Sequence, residues 1–187
     1  ERVVLIEDFP EIFVPALYLE KMLLGPGETD KMGLIDAALK RSPHRVVLGD
    51  IRPGETACFI RILEEGLVGS IAASYGTSSS DALLRLLDGF LVLGAGSEAS
   101  LRRRISRSIH LVIGMKMVDG QPCLNEVTEV VSAGSQGFEL KPLVRFAGVQ
   151  NGKRRWEILE NSSRCIEMLK TRGCELSVGP ALSLAQR

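Results

Sequence analysis

Two short apolar runs in this chain each end in acid, and those acids have the types and spacing to do chemistry. Val3-Val4-Leu5-Ile6 runs into Glu7-Asp8. Arg45-Val46-Val47-Leu48-Gly49 runs into Asp50, with Ile51-Arg52-Pro53-Gly54-Glu55 directly after it. Apolar runs of this length suit central parallel strands covered on both faces. In open α/β sheets, ligands sit outside the carboxyl ends of such strands, where Asp50 and Arg52 would stand. A carboxylate there can hold a divalent cation through water or orient an attacking water. Asp50 and Pro53 could equally make no more than a strand-to-helix turn, and a lone acid of this kind is usually a turn former. Two strands that deliver acids to one edge begin to define a site.

Such a site needs a parallel sheet, and the first half of the chain has the pattern of one. Arg2 to Ile6 reads as the first strand. Phe9 to Leu24, interrupted by Pro10 and Pro15, reads as an irregular or partly extended excursion, and Gly25-Pro26-Gly27 as a turn. Thr29 or Asp30 can cap a helix through Lys40 with Met32, Ile35, Ala38 and Leu39 as its apolar stripe. Ser42-Pro43 stops it. After the strand Arg45 to Leu48 and the Asp50 turn, Thr56 to Glu65 reads as a helix with Phe59, Ile62 and Leu63 inward and Gly66 at its end. Gly69 to Ser74 reads as a short buried strand that leads to Tyr75, which would face the same edge as Asp50. A long apolar-faced helix follows from the Ser78-Ser79-Ser80-Asp81 cap to Leu93. Another runs from Glu98 to Arg107. Strand and helix alternating in this way point to parallel βαβ units.

The character then changes. Ile109 to Met117 and Cys123 to Val131 read as a hairpin around Asp119-Gly120, a strong turn signal. Phe138 to Phe146 and Arg154 to Ile158 pair around Asn151-Gly152, and Asn161 to Arg172 reads as a helix closed by Gly173. Two domains are expected: residues 1 to 108 as a parallel α/β core, and residues 109 to 187 as antiparallel hairpins with a terminal helix.

Lys and Arg equal Asp and Glu in number, so the formal net charge is zero. That gives no electrostatic basis for duplex DNA binding, which needs clustered cations. Arg102-Arg103-Arg104 with Arg107 spread around a helix, as on a solvated or subunit-facing surface. Asp81, Arg85 and Asp88 interrupt the Leu-rich segment from Ala82 to Leu93, and no run reaches the length of a membrane span. Cys58, Cys123, Cys165 and Cys174 lack C-x-x-C spacing and fit buried reduced thiols better than a zinc site or a disulfide framework. His44 and His110 suggest no metal. The chain opens directly on a strand with no initiator Met, as a piece of a longer protein would.

Taken in order, these motifs resemble the secretion superfamily ATPases, hexameric motors of type II and type IV secretion, type IV pili and conjugation. The likeness is strongest to the tight-adherence pilus branch. Arg2 to Asp8 resembles the family's acidic box, and Arg45 to Glu55 its Walker B stretch, usually Gly-Glu-Val/Ile-Arg-x-x-Glu. Gly69 to Leu86 resembles the histidine box, in which Asp81, Ala82, Leu83, Arg85 and Leu86 keep the pattern. Asp119-Gly120 and Glu126 to Val131 match the hairpin that follows. Asn151-Gly152-Lys153 and Glu167 to Leu176 match the tail of the tight-adherence branch. The resemblance covers nearly the whole chain but only the later half of such a motor. It implies a RecA-like P-loop NTPase core fragment. It also implies ATP and magnesium as cofactors, catalytic roles for Glu7, Asp50 and Tyr75, and cofactor contacts from Asp8, Arg52 and Glu55. Magnesium would be held by Asp50 and Glu7 through water. The implied setting is a homo-oligomer, a hexamer, at the cytoplasmic face of the inner membrane, with platform proteins as partners and no direct nucleic acid.

The departures matter as much. No G-x-x-x-x-G-K-[ST] phosphate loop occurs, and it is expected upstream. Asp50 stands where the family has glutamate, and Tyr75 stands where it has histidine. Tyr18 and Lys21 lie nearest to the places of arginines that reach nucleotide. Two readings follow: a divergent working motor, or a degenerate paralogue that assembles beside an active one. A RecA-like helicase fragment fits the α/β half alone. A secreted adhesive domain would call for disulfide spacing that the sequence lacks.

Overall fold

A computed structural model describes residues 1–25, 30–94, 96–160, 162–171 and 173. It divides into two compact units, Glu1–Ser108 and Ile109–Arg187.

The first unit is built on a parallel sheet. Its strands are β1 (Arg2–Glu7), β2 (Tyr18–Leu23), β3 (Arg45–Asp50) and β4 (Ile71–Ala73), in the order β2-β1-β3-β4. Its helices are α1 (Lys31–Lys40), α2 (Thr56–Glu64), α3 (Ser79–Val92) and α4 (Glu98–Ser108), and a 3-10 turn spans Pro53–Glu55. β1 is central and buried, and its register with β3 sets Val4 beside Val46 and Ile6 beside Leu48. That is the covered apolar strand pair the sequence predicts.

Three expectations change. The excursion from Phe9 to Leu24 contains a true strand, β2, paired in parallel along the whole of β1. Pro10 and Pro15 stay outside it, as their missing N–H requires. β4 is shorter than expected and lies at the sheet edge, with Ile71 exposed rather than buried. On α1, Met32 is exposed and the buried stripe is Lys31, Ile35 and Ala38. Those positions share one helix face at i, i+4 and i+7; Ile35 and Ala38 belong to the expected stripe, and Lys31 takes the place of Met32 at its start.

The helix ends follow ordinary capping chemistry. Asp30 Oδ1 accepts from the Gly33 N–H at 2.8 Å, and Ser78 Oγ accepts from the Asp81 N–H at 3.1 Å. Gly66 takes a φ of 93° just past α2. On α2, Phe59, Ile60 and Ile62 are buried, and Leu63 is half-buried. The basic run on α4 is partly inward. Arg104 makes two 2.9 Å hydrogen bonds to Glu64 of α2 and lies over the Phe90 ring of α3 at 5.1 Å. Arg102 pairs with Glu98.

The second unit is a four-stranded antiparallel meander of β5 (Leu111–Val118), β6 (Gln121–Gly134), β7 (Gly137–Gln150) and β8 (Lys153–Ile158). The helix α5 (Arg164–Thr171) follows. Asp119 and Gly120 have φ of 52° and 71°, and Asn151 and Gly152 have 52° and 70°. These positive angles suit the tight turns that match strand twist. β6 and β7 run longer than the sequence suggests, because bulges absorb their register shifts. Trp156 Nε1 donates to the Leu124 carbonyl at 2.9 Å, and Glu129, buried, accepts from the Arg164 N–H. Cys58 and Cys123 are buried free thiols and Cys165 is only half-buried; Cys174 lies outside the described residues. Among the described residues, no helix is long and apolar enough to cross a membrane.

Candidate functional site

β1 and β3 are neighbours in register, so the acids that follow them reach the same end of the sheet. Glu7, the last residue of β1, is 2% exposed. Its Oε1 accepts from the N–H groups of Glu11 at 3.0 Å and Ile12 at 2.6 Å, so it anchors the segment that leaves the strand. Its Oε2 is buried and receives no hydrogen bond among the described residues.

Asp50 ends β3. Pairing with β4 skips Gly49: Leu48 faces Ala72, and Asp50 faces Ala73. An irregularity of this kind re-aims the next side chain. Asp50 Oδ1 is buried and, like Glu7 Oε2, has no hydrogen-bond partner among the described residues. Buried polar atoms are nearly always satisfied, so two orphan carboxylate oxygens at one sheet edge call for an explanation.

Asp8 and Glu55 are drawn together by a residue the sequence analysis missed, Lys31, and Arg52 joins them through both acids. Lys31 stands at the start of α1 and is 1% exposed, although lysine is almost never fully buried unless paired. Its Nζ donates to the Asp50 carbonyl at 2.8 Å, and lies 2.9 Å from Asp8 Oδ1 and 3.3 Å from Glu55 Oε2. The contact with Asp8 Oδ1 is close enough for an ion pair but lacks hydrogen-bond alignment. The Arg52 guanidinium takes the other Asp8 oxygen. Glu55 Oε2 also accepts from the Arg52 backbone N–H at 2.9 Å, which closes the 3-10 turn on itself. The available signal was the helical spacing of Lys31 with Ile35 and Ala38, the same two residues that the Met32 stripe uses.

Tyr75 follows β4 by two residues and is 74% exposed. Tyr18 and Lys21 both lie on β2; Tyr18 is exposed and Lys21 Nζ donates to the Ile12 carbonyl. Among the described residues, no group of three or more His, Cys, Asp or Glu side chains could hold a metal by itself.

A parallel sheet with acid-tipped central strands, followed by an antiparallel sheet, is the mixed α/β organisation expected of a RecA-like secretion ATPase. The fold is matched by the crystal structure of the VirB11 ATPase from the Brucella suis type IV secretion system in complex with sulphate. That match has a TM-score of 0.60 and 24% identity, over 67% of this chain and 39% of that one. Curated relatives agree. The type IV secretion system protein VirB11 of Bartonella quintana is 26% identical over 137 residues, covering 68% of this chain. VirB11 of Brucella abortus is 31% identical over 94 residues, and Protein VirB11 of Agrobacterium fabrum is 29% identical over 109. No family model matches. The chain's homologues are thus VirB11 proteins of type IV secretion, and the resemblance to secretion superfamily ATPases holds. The chain spans 38% of the length of the Bartonella relative.

Proposed function

We propose that this chain is the acid-edge part of an ATPase that powers type IV secretion or a related pilus or conjugation machine. The observation that carries this is the joint ending of β1 and β3 in Glu7, Asp8 and Asp50, with Glu7 Oε2 and Asp50 Oδ1 unpartnered among the described residues. Magnesium suits such an edge. It usually takes one or two carboxylates, keeps several waters, and draws its remaining ligands from substrate phosphates. Asp50 would hold it through water, with Glu7 assisting by its free Oε2. When bound, the ion neutralises charge that develops on the transferring phosphoryl group.

The protein's own residues then act as positioners. Asp50 orients the attacking water or the cation's water shell. Glu7 fixes the segment after β1 through Glu11 and Ile12. Arg52 and Glu55 hold the turn that fixes Asp50, and Asp8 restrains Arg52. Tyr75 approaches from the end of β4 as a hydrogen-bonding group in place of an imidazole. A phosphate-cradling loop must come from outside these residues. The motor would work as a hexamer on the cytoplasmic side of the inner membrane, against platform proteins of its machine.

A second possibility is favoured by the substitutions at the reacting edge. With Asp50 for glutamate and an exposed Tyr75 for histidine, the chain suits a weakly hydrolysing paralogue that assembles beside an active motor.

Calorimetry with magnesium ATP tests the proposal. The complete protein that carries this stretch should bind, whereas these 187 residues alone should give little or no heat. Tight binding by this stretch alone would show that it is not an acid edge in need of a separate phosphate loop.

A further inference from the structure

Lys31 sits in an oxygen cage built by three separate parts of the first unit. The Asp50 carbonyl comes from the end of β3, Asp8 Oδ1 from the residue after β1, and Glu55 Oε2 from the 3-10 turn. Hard cations are held by oxygen cages of carboxylates and backbone carbonyls. Here the occupant is an ammonium group, brought in by the first residue of α1. A lysine is out of place there, because a helix N-terminus already carries partial positive charge. The buried Glu55 carboxylate and the half-buried Asp8 offset that. The local charges close: Asp8 and Glu55 are negative, and Lys31 and Arg52 are positive. Asp50 stays outside this balance, since its carbonyl meets Lys31 while Oδ1 has no hydrogen-bond partner among the described residues.

We propose that Lys31 is an internal counter-ion that fills, with its own ammonium, a place on the sheet edge that a divalent cation would otherwise take. Asp8 and Glu55 are thereby withdrawn from cation binding, and any divalent ion is directed to the Asp50 side of the edge. Lys31 acts through these acids, so it is a positioning residue and not a catalytic one. The inference rests on the edge being the cation side of a nucleotide site, and it deepens that assignment by saying which acids are closed to the ion.

Lys31→Met roughly keeps the side-chain volume and removes the charge. It leaves the buried Glu55 carboxylate without a cation and Asp8 with Arg52 alone, and removing one partner of a buried ion pair is costly. A divalent ion is the natural replacement. The probe is manganese without nucleotide, followed by calorimetry and by the melting temperature, since a ligand that binds only the folded state raises it. Lys31→Met should bind manganese roughly ten-fold more tightly than wild type, the lower end of what neighbouring groups do to metal sites. Adding Asp8→Asn should abolish most of that gain, and Lys40→Met, on the exposed end of α1, should show none. A folded Lys31→Met with manganese affinity equal to wild type would overturn the proposal. Where Lys31→Met does not fold alone, recovery of its circular dichroism by millimolar manganese or magnesium supports the proposal, and no recovery overturns it. Magnesium-dependent turnover by the complete protein with no manganese effect in Lys31→Met would sink this inference alone. A manganese effect without turnover would sink the motor assignment alone.

Discussion

Gly89 of α3 lies against Pro53: a Cβ placed at residue 89 would stand 2.5 Å from the Pro53 carbonyl oxygen and 2.7 Å from Thr56 Oγ1. Both are closer than real Cβ contacts allow, and the first neighbour is backbone. The turn that holds Arg52 and Glu55 is therefore seated on α3 by the lack of a side chain. Gly89→Ala should destabilise the first unit by about 2 kcal/mol through overpacking. Urea denaturation checks this, and an unchanged midpoint would mean that α3 and the turn separate freely.

Arg104 ties α4 to α2 through Glu64, and its guanidinium holds the Glu64 carboxyl below its ordinary value of 4.5. Because the folded value is the lower one, the unfolded chain takes up the proton first as pH falls. The pair's contribution is complete above the ordinary value and is lost as pH drops through the folded one. Both side chains are about a third exposed, so water screens the pair and about 0.5–1 kcal/mol is expected. The wild-type advantage over Glu64→Gln in urea midpoint should be present at pH 7 and disappear by strong acid. An advantage that grows on acidification would contradict the ion-pair account.

Glu7 holds the segment after β1 by two backbone hydrogen bonds. Glu7→Ala removes the acceptor and should cost about 1–2 kcal/mol, with water recovering part of the loss. Amide exchange at Glu11 and Ile12 should accelerate, while exchange within β3 stays slow. Equal acceleration throughout the sheet would show that Glu7 supports the whole unit and not that segment.

What was legible in the sequence was local. Val3 to Ile6 and Val46 to Leu48 announce buried strands by composition, and their acids follow directly. Asp119-Gly120 and Asn151-Gly152 announce tight turns because few other pairs adopt two positive φ angles in succession. β2 escaped notice because Tyr18 to Leu23 mixes charged and apolar residues, and it becomes a strand only by pairing with β1. β4 looked buried because small apolar residues suit a central strand, but it is an edge strand. Lys31 was invisible for a deeper reason. Its partners Asp8, Asp50 and Glu55 lie on other elements, and only the assembled sheet makes a buried lysine sensible.

Asp50→Glu together with Tyr75→His separates a divergent motor from a degenerate paralogue. A paralogue should gain hydrolysis from the pair, since Arg52 and Glu55 already hold the turn that fixes residue 50. A competent motor, fitted to the shorter acid, should stay level or lose rate. Steady-state rates on the complete protein distinguish them.

Asp50→Asn is the most direct test that this sheet edge serves ATP hydrolysis. The change is nearly isosteric and removes charge at an oxygen that has no hydrogen-bond partner among the described residues. In the complete protein, steady-state ATP turnover should fall by about 100-fold or more, as losses of transition-state positioning commonly do, while the oligomer remains assembled by size-exclusion chromatography. A wild-type rate equal to that of Asp50→Asn would contradict the account.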